Sequence, residues 1–265
     1  MVEDCKVLEK KAKELEQENI DEAVNTYKQA AECYNKNDKP KNSTSCLAKA
    51  AKLLRDKAHS NEDPVKALEI YKSASEIYTQ IDKQAESEKS MNEAYKKFID
   101  SAKNLRAEAK KSEDADSAEQ QFAKASSYAS QGKDGELSKA CWIDSGDQFR
   151  KKAEEIEDPR LALEIFKHSI QNYEKGGSEE LKIKSLTEAA DKFNKNASDV
   201  EKSKNNLVMA IDGYIQASIL YKAANLAEKT ETLMSKINEL CDLIGMPLEE
   251  ITKYLESQGI TTISI

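Results

Sequence analysis

Glycine and proline are scarce in this 265-residue chain, at 8 and 4 residues, so few places are built for a break. There is no run of about 18 apolar residues, so no segment reads as a membrane span. The opening MVEDCKVLEKKAKELEQEN is charged and does not read as a signal peptide. No GxxxxGK[ST], GxGxxG or GxSxG motif occurs, so nothing signals a phosphate loop, a dinucleotide fold or a hydrolase elbow. The two histidines, His59 and His168, have neither an HxxxH partner nor a nearby cysteine, which argues against zinc. The five cysteines (Cys5, Cys33, Cys46, Cys141, Cys241) are odd in number and form no close pairs. They read as small buried helix residues in a reducing cytosol, all five free. No basic stripe exists, and the net charge of −8 argues against nucleic acid.

A phrase recurs instead. IDEAVNTYKQAAECY starts at Ile20, DPVKALEIYKSASEIY at Asp63, DPRLALEIFKHSIQNY at Asp158 and VMAIDGYIQASILY at Val208. Aligned on Ala23, Ala67, Ala162 and Ala210, each has an aromatic four residues on (Tyr27, Tyr71, Phe166, Tyr214). A small residue and then a tyrosine follow (Tyr34, Tyr78, Tyr173, Tyr221). A weaker copy holds Ala118, Phe122 and Ala125, with Tyr128 one position early. The 4-3-4 spacing is one face of an α-helix. A second phrase lies between the copies and closes on Leu54, Phe98, Phe149 and Phe193. Its steps are 44, 51 and 44 residues, and the first phrase steps 44, 51, 44 and 48, so the two move as one unit of two helices. A period of this size marks a solenoid.

The expected fold is therefore all-α, an α-solenoid of antiparallel helix pairs with about twelve helices. It forms one domain over 1–265, with the array over 1–236 and a C-terminal cap and tail over 237–265. An N-terminal helix is expected near 3–18, a last second-phrase helix near 228–244 and a short helix near 247–257. The 51-residue step is assigned to longer loops at KKSEDADSAEQ and SQGKDGE. The prolines fall where helices should start, with Asp63 and Asp158 as caps before Pro64 and Pro159. Gly146 and Gly213 fall inside helical phrases, where they permit close helix contact.

Residues 1–110 balance, with 21 basic and 21 acidic side chains, and the excess of acid lies in 111–265. The C-terminal acids Glu249, Glu250 and Glu256 are candidates to attract a basic partner, or they are a solubilising cap. Their helix would bury Leu248, Ile251 and Leu255 against Leu233, Ile237 and Leu240. A small basic cluster of Lys139, Arg150, Lys151 and Lys152, diluted by Glu154 and Glu155, is a second candidate surface. Trp142 reads as core packing. No catalytic residue, metal site or cofactor is indicated, so the chain reads as a non-enzyme. Two rivals remain: a general helical-repeat scaffold, and a hydrolase with paired carboxylates resting only on the number of acids.

The opening AKELEQENIDEAVNTYKQAAECYNKND, then CLAKAAKLL, then EDPVKALEIYKSASEIYTQID resembles the soluble NSF attachment proteins, the SNAP adaptors of vesicle fusion. More loosely the chain is similar to the tetratricopeptide (TPR) superfamily, whose 34-residue unit is shorter. The resemblance is clear over residues 5–100 and one of pattern over 100–235. It implies a cytoplasmic, TPR-like adaptor that lays one face along a SNARE-type helical bundle. It also implies recruitment of an AAA ATPase of the NSF type through an acidic C-terminal end. Where alpha-type members carry an apolar membrane loop, this chain reads Glu16 to Asn19, which argues against peripheral membrane contact. Where the family ends in acids and leucines, it reads TTISI.

Overall fold

The computed structural model of the chain describes residues 2–203 and 206–263. It is an α-solenoid: among the described residues there are twelve helices and no strand, and successive helices pack on one another. They are α1 (Val2–Leu15), α2 (Ile20–Lys36), α3 (Pro40–Ser60), α4 (Pro64–Gln80), α5 (Gln84–Ala109) and α6 (Ala115–Gln131). These are followed by α7 (Gly135–Glu155), α8 (Pro159–Lys175), α9 (Glu179–Ser203), α10 (Leu207–Ala223), α11 (Ala227–Ile244) and α12 (Leu248–Ser257). Two compact units divide the chain: Met1–Leu105 with Ser127–Gly135, and Arg106–Ser126 with Glu136–Ile265. The 236/237 boundary read from the sequence falls inside α11. The end of the tail, Ser264 and Ile265, lies outside the described residues.

All five first-phrase helices (α2, α4, α6, α8, α10) have the same length, 17 residues. Each is preceded by a side chain that accepts from the first-turn amides: Asn19, Asp63, Asp114, Asp158 and Asn206. Such caps satisfy donors that the helix itself cannot. Each of these helices also ends alike, with one residue at positive φ two residues beyond the last helical one: Asp38, Asp82, Lys133, Gly177 and Asn225. The next amide then bonds back five residues, to the carbonyls of Tyr34, Tyr78, Ala129, Tyr173 and Tyr221. This is the left-handed cap that closes a helix and turns the chain sharply. Caps and turns both repeat at 44, 51, 44 and 48 residues, the steps of the phrase itself. Ala129, not Tyr128, takes the repeat position in the weak copy, which accounts for the one-residue slip.

The 51-residue step is made only in part where the sequence suggested. The turn at Gly132–Asp134 is no longer than its counterparts. The extra residues lengthen α5, which has 26 residues against 21 in α3, and the loop after it. Polar KKSEDADSAEQ covers that loop and the first residues of α6, and a helix has no signal against growing by one more amphipathic turn.

The phrase aromatics form the core. In unit 1, Tyr27, Tyr34, Leu54 and Tyr78 pack with Cys46 and Ala50, beside a smaller cluster around Tyr71 and Ala94. In unit 2, Phe166, Leu186, Phe193, Ile211, Tyr221, Ile237 and Leu255 belong to one cluster. Each large side chain contributes about 1.5–3 kcal/mol by leaving water. A Cβ on Gly146 would stand 2.7 Å from the Tyr173 ring, so glycine there sets the approach of α7 to α8. Gly213 is equally close to Ala197.

One reading is overturned. Cys5 and Cys33 form a disulfide, with Cα atoms 5.5 Å apart, while Cys46, Cys141 and Cys241 are buried and outside any disulfide. The cause is the antiparallel α1/α2 hairpin. It sets Tyr27 on Glu16 at 2.5 Å and Tyr34 on Glu9 at 3.0 Å, and Cys5, one turn beyond Glu9, meets Cys33, the residue before Tyr34. Twenty-eight residues apart in sequence, the two look unrelated. Disulfides are rare in the reducing cytosol, so the argument from five free cysteines to that compartment no longer stands.

Candidate interaction surfaces

At the C-terminal end, α12 is amphipathic. Ile251 and Leu255 are buried, at 0% and 4% exposure, in one cluster with Leu233, Ile237 and Leu240 of α11. Leu248 is half-buried against the same cluster. The opposite face presents Glu249, Glu250 and Glu256 to solvent, with Lys253 donating to Glu249 at 2.8 Å. Pro247 is the residue before the helix rather than its first turn, and Gly245 ends α11 at φ 70°. Two large apolar side chains on the same helices are exposed as well, Leu243 at 71% and Tyr254 at 51%. Their exposure depends on which helix faces dock, and the sequence pattern does not show it.

The basic cluster is dispersed by its own partners. Arg150 is held inside unit 2: it donates to Tyr173 Oη at 3.2 Å, Glu154 at 2.7 Å and Glu188 at 3.1 Å. Burial works against its charge, but the bonds to Tyr173 and Glu188 outweigh that and hold the guanidinium pKa above its ordinary value. Lys139 lies three turns away beside Glu136, and Lys152 is 3.7 Å from Asp116. Lys151 is exposed and, with Lys152, borders a groove of about 850 Å³ shared with Lys110, Lys111, Asp144 and Gln148. The groove mixes both signs and so has no strong preference for an acidic ligand.

Arg150 instead belongs to a series that sequence reading missed. Arg55 reaches Glu93 at 3.4 Å, Arg106 reaches Asp144 at 2.5 Å and Arg150 reaches Glu188 at 3.1 Å. In each case the partner is 38 residues on, five residues before Phe98, Phe149 or Phe193. Two lysines repeat likewise: Lys97 donates to His59 O and Lys192 to Glu154 O, each at the carboxyl end of the previous second-phrase helix. Cations there meet the negative end of the helix dipole. These links join second-phrase helices to one another.

Several of the phrase tyrosines have a second role beyond packing. Their rings are buried while their hydroxyls donate to carboxylates on the preceding helix: Tyr173 to Asp147 at 2.6 Å, Tyr214 to Glu201 at 2.7 Å, and Tyr221 to Asp191. Burial, and then the bond to Glu201, pushes the Tyr214 phenol up to about 12. Tyr27, Tyr173 and Tyr221 are raised further for the same reasons.

Compared with known families and curated proteins, the chain matches no family model and no curated protein. No group of three metal-ligating side chains comes together among the described residues. His168 stacks on Phe149 at 4.8 Å, and Trp142 is half-buried under the Lys175 ammonium at 4.3 Å. No described helix is long and apolar enough to cross a membrane.

Proposed function

We propose that this protein is a non-enzymatic adaptor, similar in role to the SNAP proteins. In this reading it binds a helical, SNARE-type bundle along the face of its helix array. Its acidic C-terminal end recruits an AAA ATPase of the NSF type. The observation that supports it is α12: three acids stand in solvent on a helix that docks on α11 through buried Ile251 and Leu255, with Leu243 of α11 and Tyr254 of α12 exposed. Acids and exposed apolar side chains on one pair of helices suit a protein partner, the charges steering the encounter and the apolar groups holding it.

A second reading, a general TPR-like scaffold without a role in membrane fusion, is favoured by the Cys5–Cys33 disulfide. Vesicle-fusion adaptors work in the reducing cytosol, where such a bond is rare. Affinity capture from the native cell, with and without ATP, separates the two. Capture of an AAA ATPase released by ATP hydrolysis, together with coiled-coil membrane proteins, supports the first. Capture of neither sinks it.

A further inference from the structure

In α2, α4, α6 and α8 the positions two and six residues after the phrase alanine face solvent: Asn25 and Gln29, Glu69 and Ser73, Gln120 and Lys124, Glu164 and His168. The same positions of α10 are Asp212 and Gln216. They too are polar, yet they are 4% and 2% exposed. What covers them is α12 together with residues 260–263 of the tail.

The cover is bonded through its backbone. Gln216 Oε1 accepts from the Ile263 N–H at 3.0 Å, while its amide nitrogen donates to Asp212 Oδ1 at 2.7 Å. Asp212 Oδ2 receives Arg160 of α8 at 2.7 Å, and the other arm of that guanidinium points to the Thr261 carbonyl at 3.5 Å. A carbonyl and the N–H two residues on are the pair that an extended chain offers on one side. Ile260 and Ile263 lie half-buried on the unit 2 core, while Thr261 and Thr262 stay exposed. Among residues 260–263 only the two isoleucine side chains are read, and the hydrogen bonds are made to main chain.

We propose that Arg160, Asp212 and Gln216 form a docking site for an extended segment with aliphatic side chains three residues apart, and that residues 260–263 occupy it in cis as a displaceable strap. The partner is a segment of another protein with that spacing, which takes the site when the strap leaves. A buried charge held by partners is a poor source of stability compared with apolar packing. The trio suits a face that is sometimes open to water, as it is in the other repeats. This holds whether or not the adaptor reading does.

The test uses full-length chain and a fluorescein-labelled peptide of residues 258–265, QGITTISI. Ile263→Pro removes the N–H that Gln216 accepts and frees the site without touching it. The peptide is then expected to bind the Ile263→Pro chain at least tenfold tighter than wild type, since wild type competes at the millimolar effective concentration of a short tether. Adding Gln216→Met should abolish that gain. Equal binding to wild type and Ile263→Pro, at unchanged helicity, overturns the proposal. Hydrogen exchange at the Ile263 amide gives an independent reading: Gln216→Met should speed it at least tenfold and leave α12 amides alone, and an unchanged rate overturns the strap. A wild-type chain that dimerises with concentration, where Ile263→Pro does not, would place the tail on a second copy and overturn the cis assignment.

Discussion

Tyr71 is 1% exposed and sits in the middle of its phrase. Tyr71→Ala should cost about 3–5 kcal/mol, as for any large core aromatic cut back to a methyl. Lys66→Ala, on the exposed side of the same helix, should stay within about 0.5 kcal/mol. Equal shifts in thermal melting would show that the repeat alignment is wrong. Asp82 is exposed but fixed at φ 53° by the turn after α4. Aspartate tolerates this region and a β-branched residue does not. Asp82→Val should therefore lose about 1–2 kcal/mol in urea denaturation, with Asp82→Gly at least as stable as wild type. A neutral valine would mean that the left-handed turn does not govern the helix pair.

At the scale of elements, α1 is short and depends on what ties it to α2. The Cys5–Cys33 bond closes a loop of 28 residues, worth about 3–4 kcal/mol in the chain-entropy account. Thiol titration of the denatured protein without reductant should find three thiols. A Cys5→Ser/Cys33→Ser chain should melt lower, with amide exchange rising first in α1. Five thiols in native material would remove the bond and restore the cytosolic reading. The other end behaves differently. Charge reversal at Glu249 and Glu250 should cost about 1 kcal/mol or less, since exposed acids at a helix start contribute little. If an ATPase binds there, the same change should slow its association at low salt and matter less at high salt. An unchanged association rate would take the acids out of the mechanism.

For the whole molecule, the buried tyrosines predict how folding responds to alkali. Tyr27, Tyr173, Tyr214 and Tyr221 have folded pKa values above the unfolded value of about 10. A phenol that keeps its proton longer when folded stabilises fully below about pH 10, and that contribution is lost as pH rises towards the folded value. Stability should therefore decline from about pH 10 upward, with the phenolate absorbance of these four buried tyrosines appearing together with loss of helix. Glu201 acts at the opposite limit. The Lys236 ammonium, then the Tyr214 hydroxyl, hold its pKa below the usual value. Its contribution is present above the unfolded carboxylate pKa and fades as pH falls through the folded one. Absorbance equal to all ten phenolates while the helix is intact would show that the buried hydroxyls titrate freely.

What the sequence alone determined is what repeats locally. The phrase set the number of helices, their order and the face each one buries, because a 4-3-4 spacing is a property of one helix. It also held the caps Asn19, Asp114 and Asn206 and the turn residues, at the same steps, alongside the Asp-Pro starts. Of the candidate surfaces, the amphipathic α12 with Glu249, Glu250 and Glu256 was legible for the same reason. The tertiary structure decided everything that depends on which helix lies alongside which. It joined Cys5 to Cys33, turned Arg150 from a surface cation into a half-buried link to Glu188, and folded residues 260–263 over Asp212 and Gln216. Those partners stand 28, 38 and 47 residues apart, and no helical period connects them. Their pairing comes from the closing of turns and the docking of faces, which bring distant residues together only after each helix has formed.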